Sequence, residues 1–198
     1  MSAAAELTFD EASHTYRVGG KVWPSVTQVL EPLQFLDGVP WAVLEAARKF
    51  GTHVHQAVHL WNVGNLDEES LDPHLAPYLA GWKKFLADTG AEVVVSERRI
   101  LNRRLRYAGT LDSVIRWRQR FHMLDVKSGA MPKTVGLQTA AYREALRSEC
   151  GSLVLSPVRY CVQLTGFGDY RLHKLTERTD FNYFTSALNV HRWRTTNV

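Results

Sequence analysis

LRYAGTLDSVIRWRQRFHMLDVK, residues 105–127, decides the architecture. Its valines, isoleucine and aromatics fall into two runs, 105–117 and 120–127, which read as strands joined at Arg118-Gln119. Side chains two apart in a strand share a face, so Asp125 and Lys127 point together while Val126 points into the core. Two charges on one face of an apolar strand are costly unless they bind something. If the runs form a hairpin turning at Arg118-Gln119, opposed residue numbers sum to 237, and Asp112 faces Asp125. Opposed side chains lie about 5 Å apart at Cβ. Carboxylates that close repel unless a proton or a cation lies between them. A divalent cation that prefers oxygen ligands suits the place. Arg-Gln is not a favoured two-residue hairpin loop, and one extra turn residue would shift the register. The competing reading is an ordinary ion pair between Lys127 and a carboxylate, since buried charges are normally paired.

Outward from this hairpin, residues 92–101 read as a further strand and 134–148 as a helix. Strands at 153–164 and 168–175 and a helix near 179–193 complete the carboxyl-terminal half. Upstream, residues 7–23 read as a hairpin, with Gly19-Gly20 beginning the next bend. Pro24-Ser25 opens a short helix to Leu30, with Ser25 and Gln28 in capping-box spacing. A long helix is predicted over 41–62, with Gly64 as its stop. Another starts at Asp72-Pro73 and ends at Gly90. The order predicts an α/β fold, a central mixed β-sheet flanked by helices, in one domain over residues 1–198. Residues 1–40 form an amino-terminal hairpin and short helix leading into the core.

The 198 residues suffice for one domain with a real core, and no apolar run approaches the length of a membrane span. The amino terminus lacks a secretory pattern, and two cysteines, Cys150 and Cys161, are too few for a disulfide framework or an iron–sulfur cluster. A cytoplasmic location, in a bacterium or a phage-infected host cell, is the simplest expectation. Net charge is +4, and eight arginines crowd residues 98–120: Arg98, Arg99, Arg103, Arg104, Arg106, Arg116, Arg118 and Arg120. Forked guanidinium donors suit phosphate oxygens. A solvated strand surface is the competing reading of the cluster. The six tryptophans are expected to be mostly core, with a base-stacking platform as the alternative.

Four segments together resemble the PD-(D/E)XK nuclease class. They are Gly109-Thr-Leu-Asp112 with Asp125-Val-Lys127, Gly51-Thr-His-Val-His55, Gln138-Thr-Ala-Ala-Tyr142, and Pro24-Ser-Val-Thr-Gln-Val-Leu30. The branch they resemble holds RecB-type nuclease domains, lambda exonuclease and the mitochondrial genome-maintenance exonuclease. The resemblance implies a restriction-endonuclease-like core and a divalent-metal-dependent DNA nuclease, in particular an exonuclease on DNA ends or single strands in recombination or repair. It implies that Asp112, Asp125 and His55 bind Mg²⁺ or Mn²⁺, joined by the backbone carbonyl of Val126. Lys127 would position or help deprotonate the attacking water and stabilise charge on the phosphate, while Gln138 and Tyr142 would line the site and help hold nucleic acid or the lysine strand. Ser128 and, from the arginine cluster, Arg104 and Arg106 are further expected DNA contacts. Glu97 stands where some relatives carry an extra acid, as a metal ligand or an arginine partner. The first acid follows Gly-Thr-Leu rather than the proline of the class name. A single-strand annealing protein is an expected partner. His55 and His59 also have the spacing of a helical zinc pair, but no glutamate intervenes and no third ligand is evident. A DNA-binding module that keeps this fold without cleaving is the alternative function.

Overall fold

The computed structural model describes residues 6–34, 38–151 and 155–196. Three short strands, β1 (Leu7–Asp10), β2 (Thr15–Val18) and β3 (Lys21–Trp23), form an antiparallel meander. Ser25 then caps α1 (Val26–Leu30), its hydroxyl accepting from the Gln28 amide while the Gln28 side chain accepts from the Ser25 amide. This is the capping box that the Ser25/Gln28 spacing predicts. Two long helices follow, α2 (Trp41–Asn62) and α3 (Ala76–Thr89), the latter closed by Gly90 in the left-handed conformation. The main sheet contains β4 (Glu92–Asn102), β5 (Tyr107–Trp117), β6 (Arg120–Lys127), β7 (Arg159–Leu164) and β8 (Tyr170–Leu175), in that spatial order. Helix α4 (Val135–Glu149) crosses from β6 to β7, and α5 (Asp180–Thr196) ends the described chain. All neighbours are antiparallel except β6 and β7, which run parallel because α4 returns the chain to the same end of the sheet.

Helices cover both faces. On one, α1, α4 and α5 bury Val29, Tyr142, Leu146 and Phe184 against Ile100, Leu111, Val114 and Met123. On the other, α2 and α3 bury Val54, Val58, Trp82 and Phe85 against Ile115, Leu124, Val126 and Val162. Strand β6 thus gives Met123 to one layer and Leu124 and Val126 to the other. That alternation places Asp125 and Lys127 on the α4 side, as the strand period predicts. No helix among the described residues is long and apolar enough to cross a membrane.

Two sequence readings need correction, and a third holds for four of the six tryptophans, since Trp82 is buried and Trp23, Trp61 and Trp117 pack against the cores. The helix expected from Asp72-Pro73 begins at Ala76, with Pro77 in its first turn. Asp72 instead holds a separate turn, its carboxylate accepting from the His74 amide and its carbonyl from Leu75. The strand expected over 153–164 starts at Arg159, because Pro157 has no amide to pair; Leu155 makes a lone bridge to Phe121, and residues 153–154 lie outside the described ones. Trp41 and Trp193 are 74% and 68% exposed, whereas Trp82 is fully buried with its indole N–H on Asn62.

Candidate active site

The β5–β6 ladder has the register expected from a two-residue turn, from Trp117↔Arg120 to Ser113↔Leu124. Arg118 and Gln119 both adopt left-handed backbone, φ 50° and 62°, the geometry of a mirror-image hairpin turn. The Arg118 guanidinium lies over the Trp117 ring, 4.6 Å from its centroid, which helps hold a turn these residue types do not favour. The pairing stops at Ser113. Beyond it β5 continues alongside β4 as far as Asn102↔Tyr107, while β6 pairs with β7 through Asp125↔Cys161 and Lys127↔Gln163. At the crotch of this fork the Asp112 carboxylate accepts from the Val126 amide at 2.8 Å, taking the place of the missing ladder bond. The Val126 backbone is thereby held at the centre of the site.

Two groups of side chains meet at the fork. In the first, His55 from α2 places Nδ1 3.5 Å from both Glu97 Oε1 and Asp112 Oδ2. One ligand atom from each of the three lies within 4.8 Å of the others, a spacing that one ion could span. Glu97 sits between the pairs Ser96↔Ser113 and Arg98↔Leu111, directly across from Asp112, yet its φ of 47° breaks the ladder there. A left-handed non-glycine residue costs roughly 1–2 kcal/mol, and such strain collects at functional sites. Burial alone would lower the His55 imidazole, but the Asp112 and Glu97 carboxylates outweigh it and raise it to about 9. Burial raises the Asp112 carboxyl above its usual range, and His55 and Lys127 offset part of that rise.

In the second group, the Lys127 ammonium lies 3.0 and 2.9 Å from the two oxygens of Asp125 and 3.4 Å from Gln138 Oε1 on α4. Asp125 is 1% exposed, and burial raises its carboxyl to about 6 against the pull of Lys127. The Cys161 thiol points at Asp125 Oδ2, 3.7 Å away, and burial pushes that thiol up. Tyr142, one helical turn beyond Gln138, is buried beside Asp112 and interacts with the Gln138 side chain. Its ring lies so close to Gly109 that a Cβ there would come within 2.6 Å, so Gly109 is what lets this tyrosine reach the fork.

The fork therefore gathers Asp112, Asp125, Lys127, His55, Glu97, Gln138 and Tyr142. Ser128 borders it, its hydroxyl facing Gly51 of α2. Arg104 and Arg106 are elsewhere, at the far tip of the β4–β5 hairpin. Among the described residues His59 does not join the His55–Glu97–Asp112 group. It meets Ser96, which Asn62 also holds, and this network ties α2 to β4. Cys161 escaped the sequence reading, because no local pattern tells which residue of a parallel neighbour faces Asp125. The ion pair of the competing reading does exist, as Lys127–Asp125, but it leaves the His55–Glu97–Asp112 group unexplained.

No protein-family model matches the chain, and a search of the curated proteins finds no match.

The nitrogen and two carboxylates of the first group could hold a divalent ion, for which Mn²⁺ is a suitable probe. Glu97→Gln keeps the side chain's shape and removes its charge. It is expected to weaken Mn²⁺ binding by at least about 10–100-fold, the scale on which even supporting residues of metal sites act. Isothermal titration measures this directly; unchanged affinity would mean that Glu97 serves only to pair with His55.

Proposed function

We propose that this chain is a divalent-metal-dependent DNA nuclease of PD-(D/E)XK type, with a restriction-endonuclease-like core. The observation that carries the reading is the convergence of Asp112, Asp125 and Lys127 with His55 and Glu97 where β5 and β6 part. These residues are scattered over four elements of the chain, and an ordinary structural ion pair needs only two of them.

His55, Glu97, Asp112 and Asp125, with the Val126 carbonyl, would hold one or two Mg²⁺ or Mn²⁺ ions. When bound, such an ion activates water near neutral pH and neutralises charge on the phosphate. The chain's own groups do the rest. Lys127 carries a positive charge beside the carboxylates, since Asp125 and Asp112 outweigh its burial and keep it protonated. An ammonium held there orients the attacking water and offsets charge developing on the phosphoryl oxygens. Gln138 fixes the ammonium from the α4 side, and Tyr142 closes the floor of the fork. Within the class we favour an exonuclease on DNA ends or single strands in bacterial or phage recombination, acting in the cytoplasm beside a single-strand annealing protein.

End-labelled single- and double-stranded DNA incubated with Mg²⁺, Mn²⁺ or EDTA tests the reading. Cleavage with metal and none in EDTA is expected, and the product ladder gives the polarity. DNA bound but left intact with either metal would replace the nuclease with a DNA-binding module.

A further inference from the structure

A second charged site lies at the other end of the β4–β5 hairpin. Its loop, residues 103–106, is fixed rather than loose: the Asn102 side chain accepts from the Leu105 amide, and Arg192 of α5 donates to the carbonyls of Leu105 and Arg106. Arg106 has left-handed backbone, φ 49°, as the last residue of a tight four-residue loop. This loop faces β3 across a cleft lined by Lys21, Trp23, Pro24, Arg104, Arg106 and Arg192. Arg98, Arg99 and Arg116, on the flanking strands, are paired with Glu149, Glu11 and Glu92. Lys21, Arg104 and Arg106 meet no carboxylate among the described residues. Arg106 even depresses the proton affinity of Arg192, which burial lowers first, so like charges are being held together.

Holding cations in one cleft without a counter-charge costs energy that an anionic ligand recovers. Guanidinium forks match phosphate oxygens, and the flat indole of Trp23 beside Pro24 offers a surface on which a base can stack. We infer that this cleft is a backbone-binding subsite for single-stranded nucleic acid, separate from the fork. Resting on the nuclease reading above, it adds the path of the strand. Arg106 precedes Asp112 by six residues of extended chain, on the order of 20 Å at ~3.4 Å per residue. A strand engaging both places spans about six stacked nucleotides at ~3.4 Å per charge. The cleft thus makes affinity depend on length, whatever happens at the scissile bond.

The test is fluorescence anisotropy with labelled (dT)20 in EDTA over a salt series, which needs neither metal nor cleavage. Arg104→Ala/Arg106→Gly removes two cations at exposed positions, and glycine suits the left-handed backbone at 106. Affinity should fall on the order of tenfold or more near 0.1 M salt, and the slope of log K against log salt should flatten by about 1.4, or ~0.7 per lost phosphate. Lys21→Gln/Arg104→Gln, which leaves the loop backbone alone, should act in the same direction. Binding unchanged in both variants, no binding by the wild type even at low salt, or equal competition by polyglutamate would each overturn the subsite. Cleft-dependent binding without any metal-dependent cleavage would instead retain the subsite and remove the nuclease.

Discussion

Lys127→Met should reduce metal-dependent DNA cleavage by at least about 10³-fold while leaving Mn²⁺ binding intact. Positioned catalytic and charge-stabilising groups typically contribute 10²–10⁴-fold, and on the nuclease reading the Lys127 ammonium would both orient the water and offset charge on the phosphate. Its ammonium holds both oxygens of Asp125, so a divalent ion approaching that carboxylate competes with it. Removing the ammonium takes away the competitor, and Mn²⁺ should bind as well as before or more tightly. Asp112→Asn should behave differently. Asp112 belongs to the His55–Glu97 group and receives the Val126 amide, so the amide variant should lose both cleavage and metal binding. Titration calorimetry beside a single-turnover cleavage assay separates the two patterns. Equal loss of metal affinity in both variants would return Lys127 to a structural role. Without metal, Lys127→Met leaves Asp125 buried and unpaired, so the variant should melt lower than wild type, and Mn²⁺ should restore the difference by mass action.

The contrast between these variants was partly legible in the sequence. Strand alternation alone placed Asp125 and Lys127 on one face, and the 237 register followed from treating Arg118-Gln119 as the whole turn. Both depend on local geometry, which short windows encode. Glu97 depends on more. A register shift between Val93 and Val95 moves β4 by one residue against β5, and only that shift brings Glu97 opposite Asp112. Nothing in the run of valines marks the bulge. The arginine cluster shows the same limit from the charge side. Arg98 and Arg99 lie in the strand run and Arg104 and Arg106 by its turn, but nothing local tells which of them meets an acid: the first two meet Glu149 and Glu11 from distant segments. Which cations stay free for a ligand is decided by where acids arrive from elsewhere in the chain. Nearby carboxylates in sequence do not settle it.

Arg159→Ala should destabilise the protein by about 3–5 kcal/mol, the usual loss when one partner of a buried ion pair is removed. Arg159 is 1% exposed and makes three hydrogen bonds from β7. Nη1 donates to the Gly136 carbonyl at 2.7 Å, and Nη2 donates to the Glu177 carbonyl at 2.8 Å and to Asp180 Oδ2 at 2.7 Å. One guanidinium therefore fastens the starts of α4 and α5 to the sheet. Gly136 is part of the fitting, since a Cβ there would lie 2.6 Å from Asp180 Oδ2. The Arg159 Nε finds no hydrogen-bond partner among the described residues, so one donor of the guanidinium is left unsatisfied. At roughly 2–4 °C per kcal/mol for a chain of this size, Arg159→Ala should lower the melting temperature by about 10 °C. Arg159→Met/Asp180→Leu removes both charges together and should recover much of that loss, because the cost of the single variant is mainly the stranded carboxylate. A double variant as unstable as the single one would show that the carbonyl bonds to Gly136 and Glu177 matter more than the charge. Gly136 lies two residues before Gln138, which steadies Lys127. If the charge pair acts only through stability, the double variant should cleave DNA as wild type does at low temperature; a persisting defect there would mean that the pair also sets the position of α4 over the fork.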